Sequence, residues 1–380
     1  MRLYVPDSTR CKDGTDFILG IRHSDNHRVN QALLDELLND DDNMIFFDGE
    51  SDRFSPLKTS DVRYQYTDYV LYNLLTLDFK DKNVYYITGD FNIHSNIERF
   101  EVDSNLKPII YPEVCIPQFL RNTRDRNRSY ELDLDFKYNV VSLNCTRKPH
   151  RIDLLKALHG EERFIYSYYP FEDEDQINSF FKDDGEVELL NELTELNETD
   201  KNKKPLKERT REDLLEEWEL KQQSREESVP LEYIESCIDL VTEAYCISAG
   251  TVLTEKAYKP MLYKKPFIIL GPRYIHQALK NMGFKLYDEL FDYSFDDKPY
   301  KERLNSIIAQ IKEILKIPTS ELIDKCKNLS EKREYNYKAL DKLQHIDIID
   351  MFREEGLTKS DTEVLEIFNK DQDKYVFNIR

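Results

Sequence analysis

The chain has 380 residues, of which 40% are hydrophobic and 34% charged, with a formal net charge of −20. Such a length suits two domains of about 150 residues or more. A negative field of this size disfavours nonspecific nucleic-acid binding as the main task unless a local basic patch overrides it.

The opening MRLYVPDSTR lacks an apolar signal core, and no apolar run approaches the roughly 18 residues of a membrane span. Cys11, Cys115, Cys145, Cys237, Cys246 and Cys326 are scattered, with no C-x-x-C pair. That spacing argues against a structural zinc site and for a reduced setting. The expectation is a soluble, cytoplasmic protein without a membrane span. Abundant Lys, Asn, Asp, Ile and Tyr with only 10 Gly point to an AT-rich coding genome, such as that of a virus or phage, which would place the protein in the host cytoplasm.

In chain order, RLYV (2–5) and MIFFD (44–48) read as short buried strands. The Leu spacing of NQALLDELLND (30–40) predicts a helix between them, and YTDYVLYNLLTLDF (66–79) a second. NVYYITGDFN reads as strand then loop, and KPIIYPEV as a strand edge. Alternating strands and helices predict an α/β domain with a mostly parallel sheet over residues 1–135.

A second α/β series spans 136–305. KYNVVSLNCTRKPHRIDLLKALHG is strand, basic loop and helix, and ERFIYSYYP is a strand. CIDLVTEAY is a strand, ISAGTVLTEKAYKPMLYKK a loop then helix, PFIILGP a strand, and YIHQALKNMGF a helix ending at Gly283. Residues 306–380 read as largely helical. Residues 171–230 interrupt the series with a strongly charged, largely helical insertion. There Thr210 is placed to cap a helix, with Asp213 three positions later. The segment reads as a solvated insertion, or alternatively as a lid or acceptor arm. Its lone Trp218 fits packing of an amphipathic helix, or stacking on a sugar.

Ligands of open α/β sheets bind beyond the carboxyl ends of the strands. Three segments put polar groups there. In NCTRKPHR, Arg147, Lys148, His150 and Arg151 share one loop-to-helix turn, with Pro149 suited to the first helical position. Helix amides with guanidinium groups make an anion site. In LVTEAY, Glu243 directly follows an apolar strand, so it must face a cleft or pair with a cation. In VLTEKAYKP, Thr254 is the expected N-cap, Glu255 and Lys256 fall in the first turn, and Lys259 lies four residues after Glu255 on the same face. The Glu255–Lys259 spacing also fits a plain surface ion pair. A carboxylate can hold a ribose diol while an ammonium holds phosphate, a division that suits a nucleotide diphosphate.

TEKAYKPMLYKKPFIILGP, with its T-E-K start and the prolines and glycine that follow, resembles a block of fucosyltransferase-like glycosyltransferases of the GT-B fold. It is more similar still to phage and giant-virus glycosyltransferase-like proteins. In order, those carry an L-N-R…H-R strand-loop, a V-T-E-T strand end, the T-E-K block, L-x-x-x-G-F and D-x-S-Y-D. This chain carries LNCTRKPHR, VTEAY, LTEKAYKP, LKNMGF and DYSFDD. The resemblance covers residues 137–305 apart from the insertion. It implies two Rossmann-like α/β domains facing a cleft, with a nucleotide-sugar donor held by the second. Carried over, it implies that Arg147 and Arg151 contact the donor diphosphate, Glu255 the ribose, Lys256 or Lys259 the phosphates, with Glu243, Thr254 and His150 beside them. Cys145 stands where the family often has Arg, Ala244 where it has Thr, and Phe295 where it has Tyr.

Cationic groups can stabilise a leaving diphosphate without a metal. DLD (133–135) and DED (173–175) sit in poor contexts for a metal pair, so no metal cofactor is expected. An inverting transfer would need a base from the first domain. Asp48, Glu50 and Asp90 follow strands there. Asp90, with His94 near it, is the strongest candidate, although such carboxylates also cap loops. The expected activity is transfer of a sugar to a glycan or protein hydroxyl. The alternatives are glycosylation of hydroxylated bases in phage DNA, and a non-catalytic nucleotide-sugar-binding or virion protein. The sequence leaves the stereochemical outcome open.

Overall fold

The structure is a computed structural model. It describes residues 2–4, 44–48, 84–98, 106–110, 136–144, 147–168, 171, 174–182, 208–216, 230–247 and 250–343. The helices expected over 30–40 and 66–79, together with Glu50, Cys145 and Trp218, lie outside them. The chain divides into two compact units, each with its own parallel sheet.

The first unit comprises Met1–Val114, Ile247–Leu253 and His345–Arg380. Strands β1 (Arg2–Tyr4), β2 (Met44–Asp48), β3 (Val84–Thr88) and β4 (Leu106–Ile110) lie side by side in that order, all parallel. Tyr86 of β3 is fully buried. Pro108 of β4 has no N–H to give a ladder, and β4 is an edge of the described sheet. Helix α1 (Ile93–Glu98) follows β3 after a turn at Gly89–Asn92.

The second unit comprises Cys115–Cys246 and Thr254–Gln344. Its strands β5 (Tyr138–Leu143), β6 (Phe164–Ser167), β7 (Ser236–Thr242) and β8 (Phe267–Leu270) are all parallel and stand in the order β6-β5-β7-β8. Every residue of β7 and β8 is buried. That is the pattern of parallel strands covered on both faces, β7 inside the sheet and β8 at the edge of its described part, which is why CIDLV and FIIL are continuous apolar runs instead of alternating ones.

Helix α2 (Pro149–Leu158) crosses from β5 to β6 and buries Leu154, Leu155 and Leu158. It opens with Pro149 in the first turn, where a missing N–H leaves no bond unmade. Helix α3 (Glu174–Phe180) and a short helix over residues 211–216 belong to the charged insertion. Phe171, Ile177 and Leu214 from this stretch pack with Leu155, Tyr166 and Tyr168. The described part of the insertion is therefore a covering layer on β6 and α2, not a purely solvated arm. Its cap at Thr210 forms as the sequence predicts, since Thr210 N–H donates to the Asp213 carboxylate and Asp213 N–H to the Thr210 hydroxyl.

After the single turn α4 (Leu231–Ile234), α5 (Glu255–Leu262) connects β7 to β8, and α6 (Ile275–Asn281) follows β8. Gly283, at φ 90°, closes α6 as expected. Three helices complete the unit: α7 (Tyr300–Lys316), α8 (Thr319–Asn328) and α9 (Ser330–Leu343). Leu304, Ile307, Ile311 and Ile314 recur at helical spacing and form the buried stripe of α7. At its end, Asn139 of β5 donates to the carbonyls of Ile314 and Ile317, satisfying groups the helix cannot.

At the amino end of the sheet, the fully buried Lys265 donates to the Tyr233 and Ser236 carbonyls and lies over the Tyr233 ring. Tyr233 Oη in turn donates to Asp239 at 2.7 Å. Burial pushes the Lys265 ammonium below its usual range and the Asp239 carboxyl above its own, and the opposite charge of each partner offsets part of that shift. No helix of the described residues is long and apolar enough to cross a membrane.

Candidate functional site

The strand order of the second unit reverses between β5 and β7. The chain leaves β5 through α2 toward β6 on one side, and leaves β7 through α5 toward β8 on the other. Loops diverging from adjacent carboxyl ends leave a crevice, the usual ligand site of an open parallel sheet. The LNCTRKPHR and VTEAY segments start at the carboxyl ends of those two strands.

The floor is a closed polar network. Asn144 Nδ2 donates to the Ser142 carbonyl and hydroxyl at 3.1 and 3.0 Å, and Asn144 Oδ1 accepts from the Thr242 hydroxyl at 2.6 Å. Ser142 Oγ donates to Leu240 O at 2.8 Å, and Ser167 Oγ to Asn144 O at 3.2 Å. Asn144 thus ties together the ends of β5, β6 and β7. Sequence reasoning passed over it, because nothing local marks an Asn whose partners lie 98 residues away.

Arg147 and Lys148 are half-buried before α2, with Lys148 Nζ 5.2 Å from the centre of the Tyr245 ring. His150 and Arg151 turn inward and are buried. His150 Nε2 donates to the Glu243 carbonyl at 2.9 Å, which fixes the proton on that nitrogen. Burial, reinforced by the Arg151 and Lys148 charges, pulls the imidazole down to about 3. His150 is therefore a neutral brace and adds no cation to an anion site at neutral pH. Arg151 Nη2 lies 3.4 and 3.3 Å from the carbonyls of Thr242 and Glu243.

Glu243 is 1% exposed, and its carboxylate is spent on the start of α5. Oε2 accepts from the Thr254 hydroxyl at 2.6 Å and Oε1 from Thr254 N–H at 3.1 Å. Burial raises its proton affinity, and Lys256 with the Thr254 bonds offsets part of that rise. Gly271, just past β8, lies against it: a Cβ there would stand 3.3 Å from Glu243 Cγ. The expected cation partner is replaced by a hydroxyl and amides, with Lys256 acting at longer range.

Thr254 is the N-cap of α5, its side chain accepting from Lys256 N–H at 3.4 Å. Glu255 and Lys256 stand side by side at the first turn, half-buried, with Nζ 2.5 Å from Oε1. Burial alone would raise the Glu255 carboxyl, but Lys256 holds it below its usual range. Burial likewise works against the Lys256 charge, and Glu255 with Glu243 outweighs it, leaving the ammonium above its usual range. The contact that forms is between neighbours instead of the Glu255–Lys259 pair that helical spacing allows. Lys259 acts on Glu255 as a weaker, more distant charge and also on Asp239. A ligand taking both Glu255 and Lys256 must replace their mutual contact.

In the first unit, Asp90 is fully buried. Its Oδ1 accepts from Asn92 N–H at 2.8 Å and Thr251 N–H at 2.7 Å, while Asn92 Nδ2 donates to the Thr251 hydroxyl at 2.5 Å. Asp90 anchors the 247–253 segment to the end of β3 and has no exposed oxygen to offer an acceptor. His94 is exposed on α1, and Asp48 ends β2, in register with Thr88. Among the described residues, no group of three or more His, Cys, Asp or Glu is arranged to hold a metal ion.

The DYSFDD segment also has a structural task. Asp296 accepts from the N–H groups of His276 and Gln277, capping α6 from 19 and 20 residues away. It also binds His276 Nδ1 at 2.7 Å, while His276 Nε2 accepts from Ile269 N–H of β8 at 3.1 Å. The proton therefore sits on Nδ1, and the ring clamps α6 to the strand.

Compared with protein-family models, curated proteins and solved structures, the chain shows no match.

Proposed function

We propose that this chain is a glycosyltransferase of GT-B type that moves a sugar from a nucleotide-diphosphate donor to a hydroxyl of a glycan or protein. The observation that carries the reading is the convergence of two helix starts on the switch point of the second sheet. The start of α2 brings Arg147, Lys148 and Arg151, and the start of α5 brings Glu255 and Lys256. Helix amides and guanidinium or ammonium groups suit a diphosphate, and a carboxylate beside them suits a ribose diol. The same cations would stabilise the leaving diphosphate as the glycosidic bond breaks. Glu243, His150 and Asn144 hold this frame in place. Two parallel α/β sheets in succession are the domain content such an enzyme needs.

A thermal-shift panel of nucleotide-sugars, with and without a divalent metal, tests the reading, because a ligand that binds the folded state raises the melting temperature. The expected result is a selective shift by one donor without metal, reduced in both Glu255→Ala and Lys256→Ala. No shift by any donor, or unchanged donor affinity in both variants, would overturn it.

A further inference from the structure

Arg303, in the first turn of α7, is a buried cation without a carboxylate in ion-pair contact. It is 3% exposed, and its guanidinium donates only to backbone carbonyls: Nη1 to Lys298 at 2.5 Å, Nη2 to Cys246 at 2.5 Å and to Gly271 at 3.0 Å. Its Nε is buried and makes no hydrogen bond. Among the described residues no carboxylate forms an ion pair with it.

Its position makes this unusual. Cys246 lies four residues beyond β7 and Gly271 one residue beyond β8, so Arg303 stitches together the two loops at the carboxyl edge. Gly271 is the residue that packs on Glu243. The Arg151 and Arg303 charges both act on the buried Cys246 thiol, approaching from α2 and α7, and Arg273 adds a further charge beside Arg303. Burial weakens the hold of Arg303 on its proton, and the Asp296 charge offsets only part of that loss. In a chain of net charge −20, the edge carries Lys148, Arg151, Lys256, Arg273 and Arg303, and the carboxylates acting on them are Glu243 and Glu255 at Lys256 and Asp296 at Arg303, the last without forming an ion pair.

We infer that Arg303 is a positioning residue for a diphosphate at this edge. It fixes the β7 and β8 loops, and its charge, which Asp296 offsets only from beyond ion-pair distance, is neutralised by the bound anion. The inference rests on the donor site proposed above, and it names the diphosphate as the part of the ligand that Arg303 serves.

The test uses the full-length protein, with inorganic pyrophosphate, a nucleoside diphosphate and the matching nucleoside as probes, titrated calorimetrically at low and moderate salt. Arg303→Gln keeps part of the hydrogen bonding and removes the charge, while Arg303→Lys keeps the charge. For Arg303→Gln the expected result is about tenfold weaker binding of both diphosphates, the size expected for one unit charge several ångströms from a polyanion in a half-shielded setting. The salt dependence should become shallower, nucleoside affinity should not change, and Arg303→Lys should retain most of the affinity. A loss shared equally by nucleoside and diphosphate, or none, would overturn the inference and leave Arg303 a carbonyl stitch. So would wild-type protein that binds no pyrophosphate. Arg303-dependent pyrophosphate binding in a protein that takes no nucleotide-sugar would uphold the inference and sink the glycosyltransferase reading. If Arg303→Gln fails to fold, Arg303→Met, which removes the charge but fills the buried site with an apolar stem, takes its place: a lowered diphosphate-to-nucleoside affinity ratio upholds the inference, and an unchanged ratio overturns it.

Discussion

Replacing His150 by Gln should remove a defined part of the protein's acid sensitivity. The imidazole is held neutral in the fold by burial and by the Arg151 and Lys148 charges, at about 3 against an ordinary 6.5. Between those values the unfolded chain binds a proton that the folded chain refuses. Stability from this group is therefore complete above pH 6.5 and is lost as pH falls toward 3. Linkage puts the loss at about 0.2 kcal/mol at pH 7 and about 2 kcal/mol at pH 5. Gln cannot titrate, yet its amide can still donate to the Glu243 carbonyl. Urea unfolding of both proteins at pH 7 and pH 5 gives two stability differences, in which other titrating groups cancel on subtraction. The expected residue is about 2 kcal/mol less acid destabilisation in His150→Gln. A histidine-selective NMR titration should show one ring of the wild type, absent from the variant, that does not protonate above pH 4. Equal pH dependence in the two proteins, or a ring that titrates near 6.5, would refute the buried neutral brace.

Thr254→Ala removes both the α5 cap and the hydroxyl that Glu243 holds at 2.6 Å. It should cost about 1–3 kcal/mol in thermal or urea unfolding and weaken nucleotide-sugar binding, with Thr254→Ser recovering most of both. Gly271→Ala places a Cβ 2.5 Å from Ile275 Cδ1 and 3.3 Å from Glu243 Cγ. The flexible Ile275 end can move, so about 1–3 kcal/mol of destabilisation is expected by calorimetry. Ile275→Val in the same chain should relieve part of it. Phe171→Ala should lower unfolding stability by about 3–5 kcal/mol if the insertion is a true cover of the sheet. A change near zero would return the insertion to a solvated arm.

The strands of the second unit are legible because parallel strands covered on two faces need uninterrupted apolar residues, as in CIDLV and FIIL, and the same kind of run marks β2 in the first. Thr254, Thr210 and Gly283 were legible because their work is done within a few residues of themselves. The groups that set the site's frame were less so. Asn144 meets Thr242 across 98 residues, and Asp296 caps a helix 19 and 20 residues upstream, so neither leaves a local signature. Glu243 at the end of an apolar strand points to a cleft or a cation, and nothing in the sequence shows that a threonine 11 positions on supplies its hydrogen bonds instead. Among the charges of the insertion, Phe171, Ile177 and Leu214 were too sparse to reveal a buried face.

The central pairing of the second sheet has a cost in time. Val140 of β5 lies beside Ile238 of β7, 98 positions later. During synthesis at about 5–20 residues per second, β5 would wait roughly 5–20 seconds for that neighbour. Through that interval β6 can cover only one of its flanks, and a row of unpaired backbone groups beside VVSL stays open to other chains. Yield of folded protein should therefore depend more on the speed of synthesis through 171–230 than on the final stability of the sheet.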